Sequence, residues 1–211
     1  MNPMITPKLI LTANSRHSSA DVTATKFEAA RVQYSITDPR SVAALLANGM
    51  VESSLVPQRE GGSYRTADRL QLVFPSFFDP RRGGRYNAAN YLQNPEGLFN
   101  LVYAGKRGNG DVASGDGFRY RGGGIIQTTF RNGYAQTGRL IGQDLERKPD
   151  LIEEIGVSVQ AACAYWVTLS SGDACARRGD IAGTRRAVNG PAMLHLDEML
   201  AVYRRLLPLL T

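Results

Sequence analysis

The sequence predicts a mainly α fold of roughly eight to ten helices with one long glycine-rich surface loop. Three observations predict it. Apolar residues recur at three-to-four-residue spacing in segment after segment, Ser, Thr or Asp stands where several of these segments begin, and Gly, Asp and Arg crowd into residues 105–124, where turn chemistry opposes continuous burial. The 211 residues, 43% hydrophobic and 21% charged, suffice for one packed domain and exclude a largely disordered chain.

In chain order, residues 20–35 read as a helix entered from Ser19 and Asp21, with Val22, Phe27, Ala30 and Tyr34 on one side. A second helix runs from about Ser41 to Ser53, capped by Asp38 or Ser41, with Val42, Leu45, Leu46 and Met50 as its apolar stripe. Residues 55–65 hold Pro57, Gly61 and Gly62 and form a loop or short hairpin. Another helix begins near Thr66 and carries Leu70, Val73 and Phe74 up to Pro75. Turns follow over 83–90, then a short helix over 95–103 and the glycine-rich loop.

Helices are expected over 129–138 and 153–169. The latter is the candidate central helix, with Ile155, Val159, Ala162, Cys163 and Trp166 at helical intervals. Residues 180–188 and 194–207 complete the account. With no internal repeat and no long linker, residues 1–211 read as a single domain: an N-terminal helical region 1–40 and a core 41–207.

The 25 Lys and Arg against 19 Asp and Glu leave a charge of +6, which favours an anionic polymer or surface. The arginine pairs at 81–82, 177–178, 185–186 and 204–205 are either solvated faces or attractors of such a substrate. Cys163 and Cys175 make no disulfide scaffold, and Cys163, in an apolar stretch, reads as a buried thiol. His17 and His195 stand apart from any cysteine cluster, so no metal site is expected. The start lacks the core of a signal peptide, and the apolar run 157–169 is too short for a bilayer, so no stable membrane insertion is expected. The glycine-rich loop lacks the Gly-Lys-Ser/Thr ending of a phosphate loop, and nucleic-acid binding would rest on charge alone.

Glu52 and Glu60 stand eight residues apart across a helix end and loop. Glycosidic cleavage needs such a pair: one protonated acid to assist departure of the leaving group, one carboxylate to activate water or stabilise positive charge. Helical geometry sets Glu52 beside the Leu45 edge, where burial would favour its neutral form. Gly49, one turn earlier, would leave room for a ligand.

Several ordered segments resemble the family 19 chitinase and phage endolysin group of lysozyme-like hydrolases. Val51-Glu52-Ser53 stands at its His-Glu-Ser/Thr motif, and Tyr64–Phe78 resembles its Tyr-Ser-Ala-Glu-Arg-Leu…Val-Phe-Pro run. Asn94-Pro95-Glu96, Val102-Tyr103-Ala104, Gly108-Asn109-Gly110-Asp111 and Arg119-Tyr120-Arg121-Gly122 match its middle helix and hallmark loop. Ile126-Gln127-Thr128-Thr129, Asn132-Gly133-Tyr134 and Arg185-Arg186-Ala187-Val188-Asn189-Gly190 continue the match.

The resemblance implies a lysozyme-like α fold with Glu52 as general acid and Glu60 as the water-activating base. Thr66 or Ser63 either positions that water or caps the next helix. Gln127, Thr129 and Asn189 would line the sugar groove, with Tyr103 or Tyr134 offering a ring face. Arg119 and Arg121 would pair with acids or fasten the glycine-rich segment. Departures are Val51 for the usual His, Gly123 for Arg, Phe130 for Gly and Gly133 for Asn, and the interval between the two acids is one residue shorter.

The activity implied is that of an endolysin: hydrolysis of the β-1,4 bond between N-acetylmuramic acid and N-acetylglucosamine in bacterial peptidoglycan. The mechanism implied is inverting, which sets the carboxyl groups roughly 6.5–9.5 Å apart. The alternatives are a chitinase and a glycan-binding protein weakened in catalysis. No cofactor, metal or nucleic-acid partner is implied. A monomer without a separate wall-binding domain is expected, made in the host cytoplasm and delivered, with a holin's help, to the periplasm or cell wall.

Overall fold

The computed structural model describes residues 3–211. Among them twelve α-helices follow one another: α1 (Pro7–Ala13), α2 (Ala20–Gln33), α3 (Pro39–Ser53), α4 (Ala67–Val73), α5 (Pro75–Phe78), α6 (Pro95–Val102), α7 (Asp116–Arg119), α8 (Arg131–Ile141), α9 (Ile155–Ala164), α10 (Gly172–Arg177), α11 (Ile181–Asn189) and α12 (Leu196–Leu206). The fold is mainly α, as expected, and the count exceeds eight to ten partly because α5 and α7 are single turns of four residues. Short 3₁₀ turns join several helices, and Tyr165–Leu169 continues α9 as a wider π-helical turn. No described helix is long and apolar enough to cross a membrane.

The chain divides into two compact units. Unit 1 takes the chain up to Gln58 with Gly123–Gln127 and Thr137–Thr211; unit 2 takes Arg59–Gly122 and Thr128–Gln136. Each has its own apolar core.

Unit 1 is built around α3. Asp38 caps it by accepting from the Arg40 N–H, Pro39 occupies the first turn without forfeiting a hydrogen bond, and Ser54 closes it in the left-handed conformation. The expected apolar stripe is wider than the periodicity suggested: every residue from Ser41 to Gly49 is buried. Ala43, Ala44 and Ala47 bury the faces between the larger side chains, so α1, α10, α11 and α12 all pack on this one helix. Residues such as Val42, Leu45 and Leu46 contribute roughly 1.5–3 kcal/mol each when fully buried.

The central helix is therefore α3 rather than the expected 153–169 segment, which ends as a regular helix at Ala164 and packs chiefly on α2. Gly49 leaves no room for a ligand either. A Cβ there would stand 2.8 Å from Leu55 Cδ2 and 3.1 Å from Ile125 Cγ2, so its missing side chain admits two core residues. Both cysteines are free and buried, and burial pushes the Cys163 thiol up to about 12.

The buried polar groups of α3 are matched by α10, α11 and the π-helical turn after α9. Ser41 Oγ donates to Asp173 Oδ1 (2.6 Å) and accepts from Trp166 Nε1 (2.8 Å). Asn48 Nδ2 donates to the Ala44 carbonyl and to Thr184 Oγ1 (3.1 Å). A buried donor left without a partner costs roughly 1–3 kcal/mol, so these bonds fix the rotation of α3 about its axis.

Unit 2 packs Leu70, Phe78, Leu98, Phe99 and Val102 together. The glycine-rich segment is less of a surface loop than expected, because Asp116, Gly117 and Tyr120 are buried within it. At Gly117 a Cβ would fall on the Phe99 carbonyl oxygen, so only glycine lets α7 lie against the backbone of α6. The Phe118 N–H then donates to Asn100 Oδ1 (2.7 Å), while Asp116 accepts from the Gly110 N–H (2.8 Å) and pairs with Arg131 (3.3 Å).

Candidate active site

In unit 1, Glu52 sits on the last turn of α3, at the negative end of the helix dipole. The sequence sets this side chain beside Leu45; the structure adds a buried arginine, with Arg185 Nη1 2.6 Å from Glu52 Oε1. The guanidinium is 1% exposed. Its Nε donates to the Leu194 carbonyl (2.7 Å) and Nη1 to Asn48 Oδ1 (3.3 Å). Two anchors, the Leu194 carbonyl and the buried Asn48 amide, thus set the guanidinium that faces this carboxylate.

Arg185, the partner of Glu52, is not among the site residues expected from the sequence. The signal lay in α11, where Ile181, Thr184, Arg185 and Val188 share one helical face, an arginine inside an otherwise core-facing stripe. Asn189, expected in the sugar groove, uses Oδ1 to accept from the Leu194 N–H (2.7 Å) and so closes the turn that Arg185 also grips.

In unit 2, Glu60 is half-buried and held largely by backbone. Its N–H donates to the Gly122 carbonyl (2.8 Å), and Arg121 Nε donates to its carbonyl (3.1 Å). Its carboxylate accepts from Tyr103 Oη at 3.1 and 3.0 Å on the two oxygens, and from the Gly122 N–H (3.2 Å). Burial pushes its pKa above the ordinary carboxylate value, against the opposing pull of the phenol, the Gly122 amide and Arg121. A carboxylate kept somewhat basic in this way suits proton abstraction from water.

The other expected site residues take different parts. Tyr103 is the direct partner of Glu60, its ring stacked on Phe99 at 5.4 Å. Tyr134 offers no ring face to a sugar: it is fully buried beside Tyr120 and donates to the Arg121 carbonyl (2.9 Å). Thr66 is the cap of α4, accepting from the Arg69 N–H (3.4 Å). Gln127 takes a positive φ of 55° and turns its amide to the Gly124 (2.8 Å) and Gln58 (3.3 Å) carbonyls. Thr129 is half-buried just before α8. Arg121 lies 3.9 Å over the Phe118 ring and donates to the Phe118 carbonyl (2.9 Å), fastening the glycine-rich segment. Arg119 is exposed, over the Tyr120 ring.

The Glyco_hydro_19 family model, chitinase class I, matches residues 84–184, a segment that begins after both glutamates. A glycosyl hydrolase family 19 domain-containing protein of Haemophilus influenzae is 35% identical over 139 residues, 65% of this chain. The chain spans 64% of that relative's length. A bacterial family 19 chitinase superposes with a TM-score of 0.62 at 18% identity, over 98% of this chain and 95% of the other. Chitinase C from Streptomyces griseus HUT6037 gives 0.61 at 17% identity, over 100% of this chain and 78% of the other. At such identities the likeness to the solved structures is one of fold.

Proposed function

We propose, from the fold shared with family 19 chitinases, that this chain hydrolyses β-1,4 bonds in polymers of N-acetylated hexosamines, with Glu52 as proton donor and Glu60 as the base that activates water. The observation that carries the reading is the contrast between the two carboxylates. Glu52 faces a fixed guanidinium that stabilises the anion left after its proton passes to the glycosidic oxygen. Glu60 is half-buried and raised in pKa, with a phenol and an amide orienting its oxygens. The guanidinium would stabilise the carboxylate that Glu52 becomes, and the raised Glu60 suits taking a proton.

Chitin-type polymers are the substrate class that the names of the similar proteins support. A second reading, peptidoglycan cut between N-acetylmuramic acid and N-acetylglucosamine, draws on charge. Unit 2 carries 11 Lys and Arg against six Asp and Glu, whereas unit 1 carries 14 against 13. Nearly all the excess positive charge thus lies in the unit that holds Glu60, where it would attract an anionic glycan.

The test is product analysis. Incubation with chitin oligosaccharides and with purified peptidoglycan is expected to release new reducing ends, identified by mass spectrometry, and proton NMR of fresh product should show the inverted α anomer. Cleavage of a peptide or amide bond alone would defeat the reading, and a β anomer would replace inversion by retention.

Tyr103→Phe tests the base. Glu60 is already raised, so its ionised form is gained as pH rises through the folded value and lost as pH falls. Removing the phenol takes away a donor that favours the anion, so the acidic limb of the kcat/KM profile is expected to move to higher pH. A limb that stayed in place or moved down would separate Tyr103 from the titrating group.

A further inference from the structure

Two residues with costly backbone conformations stand beside the tyrosine that holds Glu60. Arg107 (φ 44°) and Phe130 (φ 67°) both lie in the left-handed region, which is exceptional for a bulky aromatic. Each is locked there. Arg107 occupies the tip of a turn closed by the Gly105 N–H on the Gly110 carbonyl (2.7 Å) and the Asn109 N–H on the Lys106 carbonyl (2.9 Å). The start of α8 pins that turn, with the Asn132 N–H donating to the Arg107 carbonyl (3.1 Å) and the Arg131 N–H to Asn109 Oδ1 (2.9 Å). The Phe130 N–H donates to the Tyr120 carbonyl (2.8 Å), and its own carbonyl accepts from the Tyr134 N–H (3.0 Å).

The two side chains meet. The Arg107 guanidinium lies 5.6 Å from the Phe130 ring centroid, and the Phe130 ring packs edge-on at 5.1 Å against Tyr103, the donor to Glu60. Arg107 is exposed, and its partner is a ring rather than an acid. A guanidinium held near an aromatic ring rather than by a carboxylate keeps its N–H fork available, and that fork matches a carboxylate bidentately. Strain maintained by this many bonds, one residue removed from a catalytic base, points to a ligand contact.

We propose that Arg107, set in place by Phe130, selects glycans whose sugars bear a carboxylate. The inference rests on the glycan-hydrolase reading and assigns a residue to the choice between its two substrates: Arg107 would favour a polymer in which N-acetylglucosamine alternates with a carboxylated N-acetylhexosamine over uncharged chitin. Phe130 is a positioning residue that orients the guanidinium and is not itself required to touch the sugar.

The experiment uses the full chain with Glu52→Gln to prevent turnover. Titration calorimetry compares chitotetraose with the peptide-free tetrasaccharide of alternating N-acetylglucosamine and N-acetylmuramic acid. The muramyl ligand is expected to bind about tenfold more tightly at low salt, the ratio that one charge-assisted contact supplies. Adding Arg107→Gln should bring the ratio to about one and remove its salt dependence, and Phe130→Leu should lower it part of the way. Arg107→Lys keeps the charge without the planar fork and should give an intermediate ratio, which guards against a misfolded glutamine variant. An unchanged ratio in Arg107→Gln, or a parental protein that favours chitotetraose, overturns the selection while leaving the hydrolase reading intact. A parental protein that binds neither saccharide, with a wild type that cleaves neither polymer, overturns both.

Discussion

Glu52→Gln is expected to lower turnover by about 10³-fold, inside the range that a positioned general acid contributes. Glutamine keeps the size and the hydrogen-bonding oxygen of the side chain but has no proton to deliver to a departing alkoxide. The fold should survive, because Arg185 keeps its bonds to Asn48 and Leu194, and the residues that bury α3 are untouched. The buried guanidinium loses its counter-charge, though the amide oxygen still accepts from it; a buried pair broken from one side costs at most roughly 3–5 kcal/mol, so the melting temperature is expected to fall by no more than roughly 6–20 °C. Initial rates on the glycan cleaved by the wild type, measured beside a thermal melt, check both halves. Full activity in a folded variant would take the proton-donor role away from Glu52.

Arg185→Met is expected to cost both activity and stability. The guanidinium is 1% exposed and the Glu52 side chain 16%, so methionine leaves a carboxylate facing the negative end of its own helix without its cation. Asn48 and the Leu194 carbonyl lose a donor as well. Breaking a buried pair from one side costs roughly 3–5 kcal/mol, which lowers the melting temperature by roughly 6–20 °C. The double variant Arg185→Met with Glu52→Gln should regain part of this loss, since the orphaned charge is gone, and a coupling of about 0.5–3 kcal/mol is the expected size for groups in contact. Purely additive losses would mean that Arg185 acts through Asn48 and Leu194 alone.

The parts of the fold that were legible are those where a cap and a period agree. Asp38 and Pro39 announce α3, Thr66 announces α4, and Asp180 announces α11, each followed by apolar residues on one face. The misses have physical causes. Helix α1 has a cap in Thr6 and a proline at its first turn, but its seven residues are too few to show a period. Helix α10 opens on Gly172, which allows its backbone to lie against the Trp166 ring, a reason invisible without the tertiary structure. The glycine-rich segment looked solvated because glycine was read as turn chemistry, whereas Gly117 is there for close approach to α6. In the site, the two glutamates were visible as chemistry, but the phenol on Glu60 and the arginine on Glu52 come from positions 43 and 133 residues away along the chain, a distance that no local pattern spans.

The two glutamates are held by unlike devices. Glu52 depends on the identities of side chains, a helix packed on all sides and a buried arginine, so nearly every substitution around it is felt. Glu60 is secured by main-chain groups of Gly122, by one phenol and by Arg121 on its carbonyl, and the main-chain bonds persist through most changes of residue type. The connection between them is itself tied down, by Leu55 in the core and by the Gly124 N–H donating to the Gln58 carbonyl (2.9 Å). Substitutions around Glu52 are expected to disturb its carboxylate more than substitutions around Glu60 disturb the other.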